Sequence, residues 1–386
     1  MNYLTVLLVA LGAAALFLFF RPGKRNAPRT RTAPAGVKPA QTSLRRASAA
    51  ISAPMAAKPS VAHPVIRAAN PHIASMLRGF VPTRGADLPA QDAQDIGALL
   101  SRIPRPPSAL HKLVSPQYLA QANASELSDM VIAEPQIAAK VLVAVNSSLY
   151  GLQSPLSSIG HAVTFLGTNT VRSICLQYLL DESFRSDDPE VKRIFTGLWN
   201  ASAFASELCF RLAQHLKLPE PGTLVTHVVL SFLGQVASHS LLPRPVAKAM
   251  LAKGMLERSR IEQNELGLCA AEIGSLLMQQ WELPAVIIER VRAIDSVLLT
   301  PCGPTVEDHR TAKAFCYLCA RLGEKLARGE VKDLGAYQLD QEQGPEFYYL
   351  QTYLQLPDLA GLNDLLRLRE VVAPINAMVY AMQQRG

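Results

Sequence analysis

From Asp92 onwards the apolar residues of this 386-residue chain return every three or four positions, and no stretch alternates convincingly every two. A period near 3.6 gives a helix one buried face, whereas a half-buried strand needs a period of two. The pattern therefore predicts an all-α body. "QDAQDIGALLSRI" places Ile96, Leu99, Leu100 and Ile103 at helical spacing, and Pro104 stops the run. "SELSDMVIA" starts from Ser125 as N-cap, and Glu134-Pro135 opens the next helix with proline in its first turn. "SSIGHAVTFLG" begins at Ser157 or Ser158 and ends at Gly167, a natural C′ glycine. Few aromatics and abundant Ala and Leu suit packed helices.

Ahead of this body the chain is of another kind. Residues 3–20, "YLTVLLVALGAAALFLFF", carry no charge. As a helix they would span roughly 27 Å, close to a hydrocarbon core. Arg21, Lys24, Arg25, Arg29 and Arg31 follow at once, and no Lys or Arg precedes. A secretory signal has the opposite order and a small-residue cleavage site, so the expectation is a single-pass anchor in an inner membrane, N-out with a cytoplasmic body. A cleaved signal with a periplasmic body is the lesser alternative. Residues 21–88, rich in Pro, Ala, Ser and Arg, read as a disordered tether. About 66 flexible residues reach roughly 45 Å.

The formal charge of +7 is concentrated there. Residues 1–86 hold 12 Lys or Arg and no Asp or Glu, which leaves 26 basic against 31 acidic residues in the remainder. The basic charge either lies on anionic headgroups or only fixes topology. A mildly acidic body does not favour phosphate binding, so no nucleic-acid partner is expected. The cysteines, Cys175, Cys209, Cys269, Cys302, Cys316 and Cys319, sit in apolar helical patterns and read as reduced thiols. Cys316-x-x-Cys319 lacks a second ligand pair for zinc, and two buried thiols on one helix face is the preferred reading. No G-x-S-x-G, Walker or dinucleotide glycine motif occurs.

Three stretches carry a family resemblance. They are "IAEPQIAAKVLVAVNSSLYGLQSPLSSIGHAVTFLGTNTVRSICL" (132–176), "GLWNASAFASELCFRLA" (197–213) and "LGLCAAEIGSLLMQQWELPAVIIERVR" (266–292). Together they resemble the HDOD family, an output domain of bacterial signalling proteins related to HD phosphohydrolases. The resemblance implies two helical lobes, an amino-terminal one and an HD-like one, over residues 89–300. Residues 301–386 lie beyond it as a helical extension, expected to cap the body or to dimerise.

An HD hydrolase needs His and Asp side chains converging on one or two metal ions. At the positions that match those ligands this chain has Ala201, Ser231, Phe232 and Ala270, and the later polar pair falls near Ile294-Asp295. Alanine and phenylalanine cannot ligate a metal, so the resemblance implies a degenerate site with no cofactor and no catalysis. Phe232 lies with Val225, Val228, Val229, Leu233 and Val236 in what reads as one apolar stripe. Its burial would contribute about 2–3 kcal/mol. His227 and His239 read as structural or exposed.

Asn146, Ser147, Tyr150 and Gly151 of "NSSLYG" admit two readings, a partner or ligand surface and a helix terminus. The residue types fit the terminus better, with Tyr150 left free to present its hydroxyl to a groove. The function implied is a membrane-anchored, non-catalytic module that binds signalling proteins in a groove between its lobes. The alternatives are a metal-dependent phosphohydrolase with a rebuilt site and a nucleotide sensor without chemistry. Self-association stays open.

Overall fold

The computed structural model describes residues 70–384, apart from 122, 148, 149, 151 and 304–308. Among these residues every regular element is a helix and no strand occurs. The expected anchor at 3–20 and most of the expected tether lie outside the described residues. The part of the tether nearest the body departs from expectation. Helix α1, Pro71–Arg78, is capped by Asn70, whose side chain accepts from the backbone N–H groups of His72 and Ile73. Leu77 is buried in the core, with Ile73 and Met76 packed beside it. Ile73, Met76, Leu77 and Phe80 form a short apolar face at helical spacing, and the surrounding Pro and Arg obscured it.

The first lobe holds α2 (Ala90–Leu100), α3 (Ala109–Val114), α4 (Pro116–Gln121), α5 (Ala124–Ala133), α6 (Pro135–Val145), α7 (Ile159–Leu166) and α8 (Thr168–Glu182). Pro135 opens α6, as its fixed φ and missing N–H favour. The cap of α5 is Asn123, not Ser125. The Asn123 side-chain Oδ1 accepts from the N–H of Glu126 at 2.8 Å, which leaves Ser125 inside the first turn. Gly167 ends α7 at φ 82°, ψ 154°, a conformation essentially confined to glycine. Leu110, Leu127, Val141, Val163 and Leu176 build one core from these helices.

The second lobe begins with α9 (Pro189–His215), whose 27 residues span about 40 Å. There follow α10 (Pro221–Ser231), α11 (Leu233–Leu241), α12 (Arg244–Met250), α13 (Met255–Leu266), α14 (Ala270–Gln280) and α15 (Ala285–Ile294). Helix α9 is the spine between two cores. Ile194, Phe195 and Leu198 belong to the first core, and the run from Ala201 to Ala213 belongs to the second. The α10–α11 segment is shared in the same way. Val225, Val228 and Phe232 face the second core, while Val229, Leu233 and Val236 face the first. The single stripe expected from the spacing is thus two faces of a helix buried on both sides. Pro221–Leu241 is long and apolar enough to cross a membrane, yet 83% of its apolar window is buried within the body. It is a core helix.

The carboxy-terminal residues are not an outer cap. Helix α16 (Arg310–Ala327) packs along α9 and supplies Ala314 to Leu322 and Leu326 to the second core. The short helices α17 (Pro345–Tyr348), α18 (Leu350–Tyr353) and α19 (Leu362–Leu365), and then α20 (Arg369–Gln383), close that core with Phe347, Tyr353 and Ile375. A Cβ on Gly323 would stand 2.7 Å from the Ala205 Cβ and 2.8 Å from its nitrogen, so α9 and α16 meet backbone to backbone. A chain ended after residue 300 therefore exposes the apolar side of α9. We expect that fragment to lose the cooperative thermal transition that full-length protein shows by circular dichroism; an unchanged transition would make the last 86 residues an appendage.

Candidate functional site

The four positions that match metal ligands are each taken up by packing or by a local bond. Ala201 is buried on α9 against the α16 backbone at Gly323. Phe232 is fully buried at the junction of α10 and α11. The Ser231 hydroxyl donates back to the Val228 carbonyl at 2.7 Å, a local bond that bends helices, and the helix breaks at Phe232. Ala270 starts α14 directly beneath Gly234, where a Cβ would meet the Ala270 carbonyl. The helices thus approach through their smallest residues at the positions where metal ligands would project. These residues do not fit a metal ion. Among the described residues, no group of three or more His, Cys, Asp or Glu side chains is placed to hold one.

Beside this packing lies a buried polar cluster. Glu324 of α16 accepts from Arg258 Nη2 of α13 at 2.7 Å and from Arg321 Nη1 at 3.1 Å. Its other oxygen accepts from Gln235 Nε2 of α11 at 2.8 Å. All three charged side chains are almost wholly enclosed. Burial alone would push the Glu324 carboxyl up, but Arg258, Arg321 and Arg328 outweigh it and hold it at about 2. Asp295, just after α15, is raised by burial against the pull of Arg321, and its Oδ1 has no hydrogen-bond partner. Glu262 accepts from the N–H of Ala270 at 2.8 Å, and burial pushes it up to about 7. A cavity of about 420 Å³ opens over this cluster, lined by Gln235, Arg258, Glu262, Ala270 and Asp295. Sequence reasoning passed over Arg258, Arg321 and Glu324. The only available signal was charge inside otherwise apolar helical runs.

His227 and His239 are both buried, not exposed. Burial, with Arg290 adding to it, lowers the His227 imidazole to about 4. His239 Nδ1 lies 2.8 Å from the Gln235 carbonyl. Cys316 and Cys319 are buried thiols on α16 and face Cys209 of α9, whose own thiol is driven up by burial and by that pair.

The "NSSLYG" residues form a separate feature at the end of α6. Asn146 clamps the backbone of Leu156, with Nδ2 donating to its carbonyl at 2.8 Å and Oδ1 accepting its N–H at 2.7 Å. Ser147 is half-buried in the turn, and its carbonyl accepts from the Tyr150 N–H at 3.2 Å. The half-buried Tyr150 ring stands edge-on to Phe165 at 6.2 Å. Burial and the Glu207 carboxylate push its hydroxyl up to about 12. Gly151 lies outside the described residues. A larger cavity, about 600 Å³, lies where the lobes meet and is lined by Ile103, Phe184, Phe195, His239 and Arg244.

Comparison with known proteins places this architecture. The family profile of the HDOD domain matches residues 103–297. The chain is similar to the crystal structure of an HDOD domain protein with unknown function from Geobacter sulfurreducens, with 17% identity and a TM-score of 0.51, covering 75% of this chain and 98% of that one. It is also similar to a Shewanella amazonensis protein named "Putative phosphohydrolase", with 17% identity and a TM-score of 0.49 over 74% of this chain and 97% of that one. A Marinobacter aquaeolei protein named "Putative signal transduction protein" is 21% identical, with a TM-score of 0.47 over 76% and 66% of the two chains. No curated protein matches.

Two measurements check the site. Glu324→Gln keeps the shape but leaves two enclosed guanidinium groups without a counter-charge, so urea unfolding is expected to show a loss of about 3–5 kcal/mol. For His227 the folded state disfavours the charged imidazole. Its contribution is therefore complete above the ordinary histidine range and lost as pH falls from about 6.5 towards 4, by about 3 kcal/mol. The stability difference between the protein and its His227→Leu variant should follow that window, and a difference that stays flat with pH would contradict the assignment.

Proposed function

The chain belongs to the HDOD domain family, and on that footing we propose that it is a membrane-anchored signalling module that works by holding a protein partner, without catalysis. The observation that carries this reading is the replacement of the ligand set. Ala201, Phe232 and Ala270 offer no donor, the Ser231 hydroxyl is spent on its own helix, and Phe232 is part of the core. A phosphohydrolase needs a metal ion to activate water and to balance phosphate charge. Two of the nearby cations, Arg258 and Arg321, are engaged by Glu324, and Arg292 stands 3.7 Å from Glu272. A binding module instead needs a rigid body, and two cores sharing α9 supply one. The 600 Å³ cavity between the lobes is a place for partner contact.

The anchor at 3–20 and the basic tether are the remaining parts of the reading. They would hold the body close to the cytoplasmic face of an inner membrane and raise the local concentration of body and partner. The names of two similar structures, one for signal transduction and one for phosphohydrolases, correspond to this reading and to its rival.

The test is affinity capture of full-length protein from the native cell, with bound proteins identified by mass spectrometry, alongside a phosphodiesterase and phosphomonoesterase assay with added Mg²⁺, Mn²⁺ or Zn²⁺. A reproducible signalling partner with no metal-dependent turnover is the expected result. Metal-dependent hydrolysis would replace this reading with the rebuilt-site hydrolase. A capture empty of partners would move the search to a nucleotide in the cavity beside Asp295, detectable as a ligand-dependent rise in thermal stability.

A further inference from the structure

Between α1 and α2 the chain crosses α13 and α14 in a way that helix packing does not explain. The carboxamide of Gln263 on α13 reads two backbone groups of this crossing. Its Oε1 accepts from the Thr83 N–H at 2.7 Å, and its Nε2 donates to the Val81 carbonyl at 3.1 Å. Glu272 of α14 accepts from the Gly85 N–H at 3.0 Å. Arg260 donates to the Met76 carbonyl at 2.8 Å and stacks on the Phe80 ring at 5.9 Å from its centroid. Arg84, at φ −87° and ψ 147°, is extended. One amide thus holds the backbone at residues i and i+2 of the segment, and main-chain hydrogen bonds of this kind are a means of holding extended peptides. Pro82 falls between the two groups that Gln263 reads, so its missing N–H costs nothing there.

The crossing segment is an incomplete occupant. Phe80 is almost fully buried, but Val81 is 76% exposed. Behind the segment, whose residues Phe80 to Pro82 and Arg84 form one wall, the 420 Å³ cavity runs in to Gln235, Arg258, Glu262 and Asp295. The chain supplies backbone for the groove and one aromatic anchor, and none of the segment's side chains hydrogen-bonds to Gln235, Arg258, Glu262 or Asp295 at the inner end of the cavity.

We propose that the surface of α13 and α14 is a peptide-recognition groove, that residues 80–85 occupy it in cis as an autoinhibitory placeholder, and that its partner is an extended segment of another protein. The segment that fits has an aromatic residue followed two positions later by proline, with a polar side chain able to enter the cavity. This inference rests on the partner-binding reading above and assigns the peptide contact to α13 and α14, apart from the cavity between the lobes. It also ties the tether to recognition, because the placeholder joins the body directly to the chain that leads towards residues 1–69. A covalently attached placeholder competes at a millimolar effective concentration, so a free peptide meets the closed groove first.

The experiment uses full-length protein and a fluorescein-labelled synthetic peptide spanning residues 76–87, read by fluorescence anisotropy. Phe80→Ala removes the anchor of the placeholder, at the edge of the second core and over Arg260, and keeps Gln263 and Glu272 of the groove. Gly85→Pro removes the N–H that Glu272 accepts, and its added carbons rest against the flexible end of the Leu276 side chain at about 3.3 Å. Either variant is expected to bind the peptide at least about tenfold more tightly than unsubstituted protein, with faster hydrogen exchange at Thr83. Adding Gln263→Ala to either is expected to return the affinity to the unsubstituted level or below. Equal affinity in all five proteins, or tight binding that survives Gln263→Ala, would overturn the proposal. The two readings fail separately. A captured partner with no peptide binding would remove the groove and keep the adaptor, and peptide binding with metal-dependent hydrolysis would do the reverse.

Discussion

The structure depends on one carboxylate. Glu324 lies out of water between Arg258 and Arg321, with Gln235 on its second oxygen, and so ties α16 to α13 and α11. Such a cluster is costly to bury and becomes favourable only when every member is paired. Here the pairing draws on residues 89 and 66 positions apart in the chain. It can form only with α16 docked against α13 and α11. The same docking brings Gly323 onto Ala201 and closes the second core. A metal centre would hold these helices together through a shared cation. In this chain the positive charge is covalently attached, as two arginines around an acid.

That substitution accounts for the other features of the region. Without ligands to project inward, the helices close on small residues: Gly234 on Ala270, Gly274 on Gly234 and Gly323 on Ala201. Phe232 fills the second core where α10 turns into α11. What remains open is shifted to one side, as the cavity beneath Phe80 and Arg84. Beside the packed small residues a concave surface remains, lined by both apolar and charged groups.

Much of this was legible in the sequence, for definite reasons. The all-α class followed from periodicity, the start of α6 from Pro135 and the end of α7 from Gly167. Each is a local signal that the backbone must obey. That Ala201, Phe232 and Ala270 carry no metal donor is a property of residue type alone. The cluster could not be read, since nothing in sequence pairs Arg258 with Glu324. The α10–α11 segment was misread for a related reason: periodicity marks apolar positions but does not say how many cores they serve. Residues 71–87 looked like tether because composition averages over a window wider than the one apolar face of α1. The role of α16 was missed because family resemblance fades before the core is complete.

The most direct test of the central claim is the metal content of purified full-length protein, equilibrated with Mn²⁺, Zn²⁺, Fe²⁺ and Mg²⁺, desalted, and measured by inductively coupled plasma mass spectrometry. A site closed by Phe232 and charged by Arg258 and Arg321 predicts metal far below one equivalent per chain. One or two equivalents retained through desalting, and lost on Asp295→Ala, would contradict the account and return the chain to the hydrolases.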